Sequence, residues 1–134
     1  MNHQVKDYMS KPYAFVTVND TLDKALETMS RYNTMKITVT DEQNYIYAIV
    51  AKTDLYKYIG SKSDMQKFSS IKIKDVIDES QSSIVAYPEN DVFEALTIMD
   101  TLGIGYLPIG KSQWEKRLVG FISAKDVQLK LMEN

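Results

Sequence analysis

Ser123, Lys125 and Asp126 bring a hydroxyl, an ammonium and a carboxylate together within a single short stretch, Gly120-Phe121-Ile122-Ser123-Ala124-Lys125-Asp126. Upstream, Leu118, Val119, Phe121 and Ile122 have the composition of a buried strand. Downstream, Val127, Leu129, Leu131 and Met132 give the next segment the apolar side of a helix. Ser123 followed three residues later by Asp126 has capping-box spacing, so strand passes to helix at that point. A helix start offers free backbone N–H groups and the positive end of a dipole. An anion can bind there, with Ser123 and Asp126 available to hold hydroxyl groups. The same spacing is equally that of a plain helix cap, so from these residues alone both roles stay open.

Other chemistry is sparse. The chain has no cysteine, which removes disulfides, thiol catalysis and thiolate metal sites. Its single histidine, His3, is expected to be solvent-exposed in a terminal arm, and no Ser/His/Asp triad can be built around it. Gly103-Ile104-Gly105 lacks the third glycine and the preceding strand of a dinucleotide fingerprint and reads as a turn entering a strand. The acidic pairs Asp41-Glu42 and Asp78-Glu79 lie beside turn signals and show no metal-ligand spacing. We therefore expect no enzyme, no metal and no required cofactor. Hydrophobic residues make up 44% of the 134 and charged residues 25%, the balance of a globular protein with a real core. The net charge is −2 and no Lys/Arg run exceeds two, so a nucleic-acid partner is not expected. The longest apolar or aromatic run, Tyr45 to Ala51, is seven residues, against the roughly 20 of a membrane helix. The N-terminus lacks the apolar core of a secretory signal, and a cytoplasmic protein with no membrane association is the expectation.

The elements that must position Ser123 and Asp126 occur twice. Leu22, Ala25, Leu26 and Met29 stand at i, i+3, i+4 and i+7, and Val92, Ala95, Leu96 and Met99 repeat the pattern 70 residues later (95 minus 25). Asp20 or Thr21 can cap the first helix, and Asp91 with Glu94 the second. Met29 and Met99 are expected to fill the core. Val5-Lys6-Asp7-Tyr8-Met9 matches Ile73-Lys74-Asp75-Val76-Ile77, and each leads into a β-prone stretch, Phe15 to Val18 and Ile84 to Tyr87. Met35 to Val39 corresponds to Gly105 to Ile109, where Pro108 argues for an edge or a strand end. Tyr45 to Val50 corresponds to Leu118 to Ile122, at an offset of 72 by Asp54 and Asp126, so the second copy has two more residues in its turn. Each unit reads β-α-β-β-α, with residues 1–60 as the first repeat, 61–72 as a linker and 73–134 as the second. A unit of about 60 residues is marginal alone. The expected fold is α/β of the α+β kind, two repeats packed sheet to sheet with approximate twofold symmetry and one cleft per copy.

In this order and twice over, these segments resemble a tandem pair of cystathionine beta-synthase (CBS) domains, a Bateman module. The likeness runs from about Val5 to Ile59 and from about Ile73 to Met132. It rests on Val5 to Met9, Asn19-Asp20-Thr21-Leu22 with Ala25-Leu26, Gly103 to Ile109, and Leu118 to Val127. This last segment looks like the family's glycine, apolar, apolar, Ser/Thr, two variable residues, Asp motif. The resemblance implies a regulatory, non-catalytic module that binds an adenine nucleotide such as AMP, ADP, ATP, cyclic di-AMP or S-adenosylmethionine. It implies that Asp126 binds the ribose hydroxyls and that Ser123 contacts ribose or phosphate. A carboxylate suits that task, since charge-assisted bonds are roughly twice as strong as neutral ones. Lys125 is expected to reach a phosphate. Ile84, Tyr106, Leu107 and Pro108 are expected to wall the base, with backbone near Ser83 and Ile84 reading its edge.

The first copy departs from the motif. Its residues are Ala48-Ile49-Val50-Ala51-Lys52-Thr53-Asp54, so the glycine is Ala48 and the hydroxyl residue is Ala51, although Asp54 is kept. A weaker site there is assigned to Asp54, Tyr13 and Ile37, with Tyr13 standing where the second copy has Ser83. A lost hydrogen-bond partner costs about 0.5–1.5 kcal/mol, up to about tenfold in affinity. The expectation is two unequal sites with the second dominant. The resemblance further implies a homodimer through the exposed faces of Thr53 to Ile59 and Lys125 to Met132, and an effector protein acted on in trans. The alternative is a structural or interaction module whose nucleotide sites are vestigial.

Overall fold

The computed structural model describes residues 3–62, 69–77 and 84–133. The first repeat contains β1 (Phe15–Thr17), α1 (Leu22–Arg31), β2 (Lys36–Thr40), β3 (Ile46–Ala51) and α2 (Lys52–Lys62). The second contains α3 (Val92–Leu102), β4 (Tyr106–Ser112), β5 (Glu115–Ser123) and α4 (Ala124–Met132). The class is mixed α+β, as expected, with one sheet ordered β1-β2-β3 and another of β4 and β5. The chain falls into two compact units, Ala14–Ser83 and Met1–Tyr13 joined with Ile84–Asn134.

Both amphipathic helices bury the face their spacing predicts. Leu22, Ala25 and Met29 of α1 lie in the core of the first unit, and Val92, Ala95 and Met99 of α3 in the core of the other. Their ends match as well. Gly103 closes α3 in the left-handed region at φ 65°, and Asn33 takes the same place after α1 at φ 50°. In each case the following N–H returns to the helix, Ile104 to Met99 and Thr34 to Met29, both at 2.9 Å. The starts differ. Asp91 caps α3 by accepting from the Phe93 N–H at 2.7 Å, whereas neither expected cap serves α1. Asp20 accepts instead from Thr17 N–H, and Thr21 Oγ1 donates to Asp23.

One expected strand is reduced to a single bridge. β1 runs parallel to β2 in the first repeat, but at the corresponding Ile84 to Tyr87 only Ala86 pairs, with Ile109. Ala86 donates to the Pro108 carbonyl at 3.2 Å and accepts from Gly110 at 2.9 Å. Extending this ladder one rung either way requires an N–H from Pro108 or from Pro88, and neither has one. The first repeat carries Thr38 and Val18 at those places, and there the Val18 N–H does reach Thr40, at 2.9 Å.

The repeats and the compact units part company at each repeat's leading segment. The short 3-10 turn Val5–Asp7 belongs by sequence to the first repeat but packs with the second, where Val5 is fully buried beside Val92 and Leu107. The turn Ile73–Asp75 does the converse, with Ile73 at 1% exposure in the core of the first. The hydrogen bonds are the same in both. Val5 donates to Asn90 and Lys6 to Pro88; Ile73 donates to Asp20 and Lys74 to Val18. In return Val92 donates to His3 at 2.9 Å and Leu22 to Ile71 at 3.0 Å. The last residues of the expected linker, Ile71 and Lys72, are thus part of the first unit.

Because Ile73 fills the centre of a core it does not share by sequence, Ile73→Ala is expected to lower the unfolding free energy by about 2–5 kcal/mol. Chemical denaturation checks this, and a loss under about 0.5 kcal/mol would show that the turn is not a core element.

Candidate functional site

β5 delivers Ser123 to the first position before α4, where the chain changes from strand to helix. Ser123 is 7% exposed, and its Oγ accepts from the Asp126 N–H at 3.0 Å. The next orphan donor of the helix, Ala124 N–H, is met by the Gly105 carbonyl at 3.1 Å. The capping box is therefore half made. Among the described residues the Asp126 carboxylate accepts no hydrogen bond, and its side chain is exposed.

The first repeat makes the opposite half. Lys52 N–H is met by the Met35 carbonyl at 2.8 Å, as in the second copy, but Ala51 has no hydroxyl to cap α2. There the Asp54 carboxylate turns back and accepts from the Ala51 N–H at 3.2 Å. The acid is retained in both copies, yet only in the second does it face outward.

Asp126 borders a cavity of about 490 Å³ together with Tyr13, Gly105, Tyr106, Ser123 and Lys125. Tyr106 and Ser123 are register partners on one face of the β4–β5 pair, and Phe121 stands on the same face opposite Pro108. Tyr13 lies against this face, its ring 5.6 Å from Tyr106 and 5.3 Å from Phe121. Burial pushes the Tyr13 phenol well above its ordinary pKa, with Tyr106 and the Asp126 carboxylate adding to the effect. It stays a neutral hydrogen-bonding group, within reach of Ser10 and Tyr106.

Gly120 is what admits the Ser10 backbone against β5. Ser10 and Phe121 exchange two backbone hydrogen bonds, of 2.9 and 3.0 Å, which pin Ser10 to β5 a few residues before Tyr13. A Cβ on Gly120 would stand 2.4 Å from the Ser10 carbonyl oxygen, a backbone atom with little freedom to move.

Four of the residues read from sequence thus meet at one cavity: Ser123, Lys125, Asp126 and Tyr106. Others do not. Leu107 is fully buried in the apolar core, Ile84 packs half-buried against that core, and Pro108 is buried within β4, so none of the three lines this cavity among the described residues. Ser83 lies outside the described residues. Tyr13, assigned to the first copy by repeat alignment, belongs to the second unit, because the chain crosses before the repeat body begins. Ile37 is a core residue at 2% exposure rather than a cleft wall. His3 is also corrected. It is partly buried, its Nδ1 2.5 Å from the Tyr8 hydroxyl and its ring set edge-on to Phe93. Gly105, Ala124 and Gln128 line the cavity and were not foreseen. Only the i, i+4 spacing of Ala124 and Gln128 on a capped helix pointed to them.

Comparison with known proteins places this architecture. The CBS domain family profile matches residues 5–61 and 73–133. The chain belongs to the CBS domain family. Both matches together make it a CBS pair, with the cavity at the strand-to-helix turn of the second CBS repeat. Among curated proteins it is 26% identical over 117 residues to the mitochondrial CBS domain-containing protein CBSX3 of Arabidopsis thaliana, covering 86% of this chain and 54% of that protein's length. Among solved structures it resembles AcuB of Vibrio cholerae, proposed to act in acetoin utilization, with a TM-score of 0.76 and 21% identity over 99% of this chain and 95% of that one. It also resembles the CBS domain pair of protein MJ0100, solved with 5′-methylthioadenosine and S-adenosyl-L-methionine, at TM-score 0.70 and 19% identity over 99% and 98% of the two chains. MJ1225 of Methanocaldococcus jannaschii, a proposed archaeal homolog of γ-AMPK, aligns at TM-score 0.76 and 22% identity over 97% of this chain and 48% of that one.

Two outcomes follow from the divided capping box and the close approach at Gly120. Ser123→Ala is expected to cost about 0.5–2 kcal/mol in denaturation and to turn Asp126 back onto the backbone amide at position 123. An amide resonance that does not move, with unchanged stability, would contradict this. Gly120→Ala is expected to cost about 1–3 kcal/mol and to free the Tyr13 ring, read from aromatic NMR shifts; a variant as stable as the parent would show that Ser10 yields easily.

Proposed function

We propose that this CBS pair is a regulatory module that binds an adenine nucleoside or nucleotide in the second-repeat cavity and signals through a change of conformation, dimerisation or partner. The observation that carries the reading is the Asp126 carboxylate, held at a capped helix start on the rim of a cavity and accepting no hydrogen bond among the described residues. Two oxygens on one carboxylate can accept from both hydroxyls of a ribose. Lys125 and the α4 dipole favour a phosphate beside it. Tyr13 and Tyr106 offer ring faces and hydroxyl groups to a base. The adenosyl ligands of the MJ0100 CBS pair and the γ-AMPK likeness of MJ1225 support the ligand class.

Chemistry in this reading is recognition rather than catalysis. The first repeat's cleft is the weaker, because Asp54 is already engaged by Ala51. We further propose a cytoplasmic homodimer that acts on an effector protein in trans. Leu129 and Met132 on α4 and Tyr56 on α2 are more than half exposed and would be covered by such pairing. No helix among the described residues is long and apolar enough to cross a membrane.

Thermal shift and calorimetry with AMP, ADP, ATP, cyclic di-AMP and S-adenosylmethionine test the proposal. A ligand at 100 times its dissociation constant is expected to stabilise the protein by about 2.7 kcal/mol. Asp126→Ala should weaken that ligand by about ten- to a hundredfold, and Asp54→Ala by less than about twofold. If none of the five shifts the intact protein, the module is an interaction scaffold with vestigial sites.

A further inference from the structure

The cavity beside Asp126 has a neighbour. Ala124 and Gln128, which border the first, also border a second cavity of about 560 Å³ whose other walls include Leu96, Thr97 and Asp100 of α3 and the Gly103-Ile104 turn. Ala124 and Gln128 are one turn apart on α4, about 6 Å along its axis. The shared wall is formed by a methyl group and an exposed amide. The two cavities thus adjoin along α4, the first bordered by Asp126 and the second by Asp100.

The two cavities differ in charge. Lys125 and Asp126 balance in the first. In the second, Asp100 is the one charged side chain among the described lining residues, and it has no ion pair or side-chain hydrogen bond among them. The repeat shows that this is not forced by the fold, since α1 has Ser30 at the place of Asp100 and α2 has Tyr56 at the place of Gln128.

We propose that this groove receives what the ligand carries beyond the first group on its ribose C5′, and that Asp100 makes it select nucleosides whose 5′ chain carries an ammonium over those bearing a di- or triphosphate. The inference rests on the adenosine reading of the first cavity. A polyphosphate entering the groove brings like charge against an unpaired carboxylate, whereas a cation meets an opposite one. Specificity of this kind comes from the repulsive arm as much as from the attractive one. A monophosphate stops short of the groove and is held at Lys125. Affinity should therefore fall from S-adenosylmethionine to AMP to ATP.

The test is calorimetric titration of the full chain and of Asp100→Asn and Asp100→Lys with S-adenosylmethionine, 5′-methylthioadenosine and ATP. The ratio of the ATP to the S-adenosylmethionine dissociation constant should drop about fivefold in Asp100→Asn and reverse in Asp100→Lys. The neutral thioether should bind all three proteins within about twofold. A ratio unmoved by Asp100→Lys overturns the proposal while leaving the adenosine site intact. Equal loss of all three ligands assigns Asp100 a structural role and overturns it too. If none of them binds the unaltered chain, the adenosine reading itself fails and takes this inference with it.

Discussion

A helix buried at its start must find partners for N–H groups that have none within the helix. In this chain the first N–H of each of α1 to α4 is met by main chain, and the side chains of Asp91 and Ser123 take donors further in, at Phe93 and Asp126. The first N–H of α1 goes to the Ile71 carbonyl, at the end of the linker, and that of α3 to His3, of the other repeat, each just ahead of the turn that leads the other copy. The same segments insert Ile73 and Val5 into the cores beneath those helices. Hydrogen bonding and apolar burial therefore select one crossing of the chain. A unit that kept its own leading segment would have to close over a connection of a different length. Much else follows. The entrance segment is bonded to β5 at Ser10, Gly120 leaves room for that contact, and Tyr13 comes to rest beside Tyr106.

The two copies differ by one hydroxyl at the strand-to-helix turn. At the strand-to-helix turn each copy has a backbone N–H to satisfy and an acid three residues on. With Ser123 present, the hydroxyl caps the turn and the acid is left for something else. With Ala51 in its place, the acid turns inward to the backbone. Helix capping and the proposed ligand binding would thus draw on the same atoms, and the hydroxyl decides how they are shared.

What could be read in advance was what local pattern determines. Spacing of Leu22, Ala25 and Met29, and of Val92, Ala95 and Met99, located both helices and their buried faces. Ser123 and Asp126 were legible because cap and acid lie within one turn. The strand at Ile84 to Tyr87 was overestimated. Pro108 was recognised as a strand-edge signal, but the joint effect of Pro88 and Pro108 on one ladder depends on register, which only pairing reveals. Tyr13 and Ile37 were misplaced for a related reason. Val-Lys-Asp and Ile-Lys-Asp encode a turn, and nothing local says which core the turn will enter. Gly105, Ala124 and Gln128 carry no chemistry that singles them out, since they contribute a carbonyl, a methyl and a neutral amide.

These connections also say where a bound ligand would be felt. α4 is short, and both its ends are tied. Its first N–H is held by Gly105, next to the cavity, and near its last turn the Lys130 ammonium donates to the Asp7 carbonyl and lies 5.2 Å over the Tyr8 ring. Asp7 and Tyr8 belong to the entrance turn that holds Val5 in the core. A ligand can shift an equilibrium only by its unequal affinity for two arrangements. Contacts to Asp126 and Lys125 act on the first turn of α4, and a nine-residue helix carries a displacement of its first turn to its last with little loss. The element able to register the ligand is therefore the one that braces the entrance segment. In the proposed function, recognition and the crossing of the chain would share this one helix.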